Sequence, residues 1–151
     1  GMVDIYLPDF KYGLEDDSEA FSSAPEYPKF ALNSIKEMVR QVGDELELIN
    51  GVAQKGVIIR HLVLPGRIKN SKEVLRLIRE EISPNVFLSL MAQYTPTVKV
   101  RNHPILGRRL TKSEYDQVLD YAYKLGFNNL FVQTVNDYEL TPDFDRENPF
   151  D

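Results

Sequence analysis

No cysteine occurs among the 151 residues of the chain. That excludes a disulfide, a thiol nucleophile and a thiolate-held zinc or iron–sulfur centre within it. Only two histidines are present, His61 and His103, so a three-histidine metal site is excluded as well. No apolar run reaches the length that spans a bilayer, and the amino terminus lacks the pattern of a signal peptide. The chain is therefore expected in the cytoplasm, away from membranes. Gly-x-Gly-x-x-Gly, Walker, His-Glu-x-x-His and Gly-x-Ser-x-Gly motifs are missing, which removes the common cofactor and hydrolase signatures. A basic surplus is missing too: 18 Lys and Arg stand against 23 Asp and Glu, a net charge of -5. General nucleic-acid binding needs a basic face, so no nucleic-acid partner is expected.

What is present is a chain long enough for one domain with a proper core, 42% hydrophobic and 27% charged. Its centre is Gly56 to Gly66, GVIIRHLVLPG, an apolar run stopped by Pro-Gly. Alternate residues of a strand point to opposite faces, so Ile58, Arg60, Leu62 and Leu64 share one face and Val57, Ile59, His61 and Val63 the other. Both faces are apolar, which predicts a central strand of a parallel sheet covered on both sides. Val3–Pro8 and Val86–Met91 read as further strands, and Asn129–Gln133 as a short last one. Between them the apolar residues recur at helical spacing: a short helix ending near Ala24, one from Pro28 to Gly43, one opening at Asn70 with Glu73 three residues on, and one opening at Thr111 with Glu114. Asp44–Lys55 reads as an acidic connector, Thr95–Arg109 as a long basic loop and Thr134–Asp151 as a surface tail. The alternation predicts a single α/β domain over 1–151, mostly parallel, with helices outside. Four strands suit an open sheet or roughly half a barrel. Gly1 ahead of Met2 reads as a residue left by expression, and a chain that opens directly on a strand is expected to be a piece of something longer.

In such folds the working groups gather at the carboxyl ends of the strands. These ends carry Asp9 and Lys11, then Arg60 and His61, then Gln93 and Tyr94. An acid, a lysine and an arginine on one rim would suit a zwitterion joined to a ribose: the lysine for a carboxylate, the acid for an ammonium, the arginine for hydroxyl or carboxylate oxygens. The bland alternatives are a strand-end ion pair of Asp9 with Lys11 and a structural arginine at Arg60 paired with an acid. His61 falls on the opposite face from Arg60 and reads as a satisfied core histidine. The basic residues from Arg101 to Arg109 read as a solvated loop or as a cover for an anionic substrate.

DIYLPDFKYG, GVIIRHLVLPG, SLMAQY and RRLTKSEYDQVLDYAYKLG together resemble radical S-adenosylmethionine proteins, most closely the relatives of the pyruvate formate-lyase-activating enzyme. The resemblance runs over nearly the whole chain, and Asp-x-Lys and Ile-Arg-x-x-Val-Leu-Pro-Gly are its most specific parts. It implies the carboxyl-terminal half of a partial (β/α)6 barrel. In such enzymes an amino-terminal CxxxCxxC motif holds a 4Fe–4S cluster, which reduces S-adenosylmethionine to a 5′-deoxyadenosyl radical that abstracts hydrogen. In activating enzymes the hydrogen comes from a glycine of a partner protein, which implies a protein substrate of glycyl-radical type. By motif, contact with the amino-acid part of S-adenosylmethionine falls on Asp9 and Lys11, contact with the ribose region on Arg60, and a third contact on Gln93 or Tyr94. Activating enzymes carry Pro-Tyr-His where this chain has Ala92-Gln93-Tyr94. The cysteine motif and the glycine-rich segment that meets the methionine amino group are both absent. The resemblance thus implies part of an S-adenosylmethionine site, with the cluster only in the full-length protein. As it stands the chain is expected to be inert and to self-associate through its exposed sheet edge. The contrasting readings are a non-catalytic α/β domain that binds a protein or nucleotide, and a barrel enzyme of acid–base type using Asp9 with Lys11 or His61.

Overall fold

The structure is a computed structural model that describes residues 5–92, 102 and 107–133. Its elements are β1 (Ile5–Tyr6), α1 (Glu15–Ser22), α2 (Tyr27–Val42), β2 (Glu47–Ile49), β3 (Val52–Leu62), α3 (Ile68–Leu77), β4 (Phe87–Met91), α4 (Lys112–Lys124) and β5 (Leu130–Val132). Strands β1, β3, β4 and β5 lie side by side in that order, and all three pairings are parallel. The α/β reading with a mostly parallel sheet and flanking helices holds, and the sheet is compatible with a partial barrel.

Several local expectations are corrected. The stretch read as an acidic connector contains a hairpin: β2 runs antiparallel to the start of β3. Asn50 and Gly51 form its turn, both with positive φ (55° and 78°), the backbone that Asn-Gly favours in a two-residue hairpin loop. Asn70 does not cap α3, whose N-cap is Arg67 without a side-chain bond. The last turn of that helix widens into a π-helical turn over Ile78–Ile82, closed by Ser83 N–H donating to the Ile78 carbonyl at 2.9 Å. The capping box expected at Thr111 is present: Thr111 Oγ1 accepts from Glu114 N–H and Glu114 Oε1 accepts from Thr111 N–H.

The two faces of the sheet differ. Val57, Ile59, Val63, Leu88 and Leu90 are fully buried, in one core with Ile35 of α2, Val74 and Leu75 of α3, and Tyr115, Val118 and Ala122 of α4. Ile58, Arg60, Leu62, Phe87, Ser89 and Met91 on the opposite face are only half-buried. The expectation that β3 is covered on both sides therefore fails among the described residues. Its alternating apolar pattern is real, but the described helices pack against one face. The register joins the open face across the sheet, with Ile58 beside Phe87, Arg60 beside Ser89 and Leu62 beside Met91. Phe131 lies beside Ser89, and its ring meets that of Phe87 at 5.6 Å between centroids.

Candidate functional site

The parallel ladder between β1 and β3 continues past Tyr6 to a bridge between Asp9 and Arg60. Arg60 N–H donates to the Pro8 carbonyl at 2.8 Å, and Phe10 N–H donates to the Arg60 carbonyl at 2.9 Å. This register sets Asp9 and Arg60 side by side on the open face. Their side chains form a bidentate pair: Arg60 Nε donates to Asp9 Oδ1 at 2.8 Å and Nη2 to Oδ2 at 3.1 Å. The two parallel bonds fix both groups in one plane. Asp9 thus pairs with Arg60 and not with Lys11, and the reading of Arg60 as an arginine that meets an acid is the one observed. Both side chains remain 43% exposed, so the pair contributes only about 0–1 kcal/mol to stability. Its position in the middle of an apolar face calls for a reason other than stability. A guanidinium carries five N–H donors and a carboxylate accepts about four bonds. The pair uses two of each, which leaves donors and acceptors for a ligand.

Beyond Phe10 the ladder ends, and side chains take over the main chain. Burial alternates from Asp9 (exposed) through Phe10 (buried) and Lys11 (exposed) to Tyr12 (buried), so Lys11, like Asp9, is open to solvent. The Tyr27 hydroxyl donates to the Asp9 carbonyl at 3.1 Å and accepts from Lys11 N–H at 2.9 Å. Fully buried Asn70 donates through Nδ2 to the Lys11 carbonyl at 2.9 Å, and its Oδ1 accepts from Gly13 N–H at 2.9 Å and Leu14 N–H at 3.3 Å.

His61 is the satisfied core histidine expected: fully buried, on the helix side, with both ring nitrogens bonded. Nδ1 lies 2.7 Å from the Phe10 carbonyl and Nε2 2.7 Å from Ser71 Oγ. A carbonyl only accepts, so the proton sits on Nδ1 and the Ser71 hydroxyl donates to Nε2. Burial pushes the imidazole down to about 4, against the opposing pull of the Phe10 carbonyl. A second anchored corner lies at Pro65-Gly66, where Glu114 Oε2 accepts from Gly66 N–H and Oε1 from Arg108 Nη1. Burial alone would raise the Glu114 carboxyl; Arg108 and the N–H groups of Gly66 and Thr111 outweigh it and hold the group near 2. Arg67 next to this corner pairs with buried Asp17 of α1.

These two shifts set the acid response. His61 has a folded pKa below its ordinary 6.5, so between about pH 6.5 and 4 the unfolded chain binds the extra proton and stability rises with pH. On acidification through that window roughly 3 kcal/mol is lost. Glu114, also depressed, adds a further loss only below its ordinary 4.5. Urea denaturation of wild type and His61→Gln at pH 7.5 and 4.5 checks this: the wild type should lose stability across the interval and the variant should show a much flatter profile.

Of the residues predicted for the site, Asp9 and Arg60 come together across adjacent chain segments, and Lys11 is exposed two residues beyond Asp9, past the end of the ladder. Gln93 and Tyr94 lie outside the described residues, as do Lys99, Arg101 and His103 of the basic loop and the stretch 134–151. Sequence reasoning missed Tyr27 and gave Asn70 the wrong role. No group of three or more His, Asp or Glu able to hold a metal occurs among the described residues. No helix there is long and apolar enough to cross a membrane.

No family model matches the chain. It is 30% identical over 131 residues to an uncharacterised protein of Methanocaldococcus jannaschii, an overlap that covers 87% of this chain and 35% of the relative. It is 23% identical over 134 residues to a lipoyl synthase of Streptomyces griseus, covering 85% of this chain and 40% of that protein. The chain thus spans between a third and two fifths of the length of these curated relatives.

Proposed function

We propose that the chain is part of a radical S-adenosylmethionine enzyme and contributes part of the S-adenosylmethionine site through Asp9, Lys11 and Arg60. One observation carries the reading: a half-exposed bidentate Asp9–Arg60 pair that adds little stability stands on the open apolar face of the parallel sheet, near the carboxyl ends of its strands. The similarity to a lipoyl synthase, itself a radical S-adenosylmethionine enzyme, supports the superfamily at a distance. The finer placement, among relatives of the pyruvate formate-lyase-activating enzyme with a glycyl-radical protein as substrate, rests on the sequence resemblance alone, of which Asp9-x-Lys11 and Ile59–Gly66 are the most specific parts. The same holds for reading the chain as the carboxyl-terminal half of a (β/α)6 barrel. Gln93 or Tyr94 would add a third contact.

The donor set fits the ligand in part. S-Adenosylmethionine presents an ammonium, a carboxylate and ribose hydroxyls. Asp9 would take the ammonium, Lys11 the carboxylate and the remaining N–H groups of Arg60 the hydroxyls. The iron–sulfur cluster does not fit this chain, which has no thiolate to hold it. No step through a cluster is assigned to these residues, and their work is to bind and orient. When bound in the complete enzyme, S-adenosylmethionine would supply the radical for hydrogen abstraction.

In the full-length protein Arg60→Ala should weaken S-adenosylmethionine binding about 5- to 100-fold, the loss of a charged hydrogen-bonding partner. Isothermal titration calorimetry reads this directly. Unchanged affinity in the variant, or no binding by the wild type, would overturn the reading.

A further inference from the structure

The main chain of residues 9–13 is held by side chains that reach no ligand themselves. The Asp9 carbonyl and the Lys11 N–H both bond one atom, the Tyr27 hydroxyl. The Phe10 carbonyl faces His61 Nδ1, the Lys11 carbonyl takes the Asn70 amide N–H, and Gly13 N–H donates to the same Asn70 side chain. Each clamp comes from a different element: Tyr27 opens α2, His61 lies on the helix-facing side of β3, and Asn70 sits in the first turn of α3. Ser71, the next residue of α3, locks the far nitrogen of His61. This is an unusual density of side chain-to-backbone bonds for one short segment, since most backbone polar groups are satisfied by other backbone groups. The Tyr27 phenol holds its proton at neutral pH as any phenol does, and burial raises it further.

We propose that Tyr27, His61 and Asn70 form a positioning frame that sets the spacing and direction of the Asp9 and Lys11 side chains for the amino-acid end of the ligand. The inference deepens the S-adenosylmethionine reading and rests on it. None of the three is a catalytic residue; each acts through the backbone of residues 9–13. A binding group held by locked supporting residues keeps its geometry at low entropic cost. The frame bears on the segment that leaves the ladder: its bonds fall on the main chain of residues 9–13 and set Lys11 above all, whereas Arg60 is held by the ladders to both neighbouring strands and by its pair with Asp9. Loss of the frame should therefore discriminate between ligands with and without an amino-acid moiety.

The test titrates the full-length protein with two probes, S-adenosylmethionine and 5′-methylthioadenosine, which keeps the nucleoside and lacks the amino acid. Tyr27→Phe removes only the bridging hydroxyl and keeps the ring against Phe10 and Tyr12, so the fold should survive. It should lower affinity for S-adenosylmethionine about 5- to 10-fold and leave that for 5′-methylthioadenosine within about twofold. His61→Leu should lower the same ratio further, and His61→Asn, whose amide N–H can take the place of Nδ1, should recover most of it. Equal losses on both probes would mean a merely structural role and would overturn the frame. So would an unchanged ratio in both Tyr27→Phe and His61→Leu. A wild type that binds neither probe would refute the underlying site reading, whereas a wild type that binds and is weakened only by Arg60→Ala would refute the frame alone.

Discussion

Phe10→Ala is expected to cost about 3–5 kcal/mol, a large part of the roughly 5–15 kcal/mol that holds a typical domain folded. Phe10 is fully buried and belongs to the hydrophobic core. It lies between Asp9 and Lys11, so the residue that anchors the segment in the core is the one that parts the two charged side chains. Its ring packs edge-on to Tyr27 at 6.5 Å between centroids. Alanine would remove that contact, the transfer energy of the ring, and the packing on the helix side of the sheet, and would leave a cavity. Leu7→Ala is the matching control. Leu7 is 55% exposed, and its truncation should stay within about 0.5 kcal/mol. Chemical denaturation of both variants beside the wild type measures the difference. Similar losses for the two would mean that Phe10 does not anchor the strand end.

Gly13→Ala should be the next largest loss, about 2–3 kcal/mol. A Cβ at Gly13 would stand 2.6 Å from the Val74 nitrogen and 2.8 Å from the Glu73 carbonyl carbon, both backbone atoms of α3. No side chain can swing aside to relieve that contact, so the loop or the helix must move. Movement of the loop pulls Gly13 N–H from Asn70 Oδ1 and loosens the same clamp that holds Lys11. The variant should therefore lose stability and show faster amide exchange at residues 11–14. Wild-type stability in Gly13→Ala would show that the close approach to α3 is not maintained in solution.

Much of the fold was legible because its signals are local. Parallel strands followed from the apolar runs at Val57–Leu64 and Val86–Met91, and the start of α4 from Thr111 and Glu114, where a capping box leaves a spacing that can be read directly. The β2–β3 hairpin was equally local, with Asn50-Gly51 between apolar residues, and was passed over because the acidic residues around it suggested a connector. Other features were not local. Whether the second apolar face of β3 is covered depends on what packs there, and alternation alone does not state it. Asn70 stood at a plausible cap position, yet its amide serves a loop 56 to 59 residues earlier. The pairing of Asp9 with Arg60 spans 51 residues. Spacing brought Asp9 together with Lys11, whereas strand register brings Asp9 to Arg60. The candidate residues were chosen by type and by strand-end position, whereas their partners needed the sheet.

The central claim, that ligand meets the chain on the open face of the sheet beside Asp9, Lys11 and Arg60, is tested most directly by mapping S-adenosylmethionine on the full-length protein by NMR. Titration should shift the resonances of Asp9, Lys11, Arg60 and Ser89 while those of Val57, Ile59 and His61, on the helix side of the same strands, move far less. Shifts centred instead on the outer groove between α3 and α4, lined by Lys72, Gln117 and Tyr121, or no shifts on the open face at saturating ligand, would contradict it.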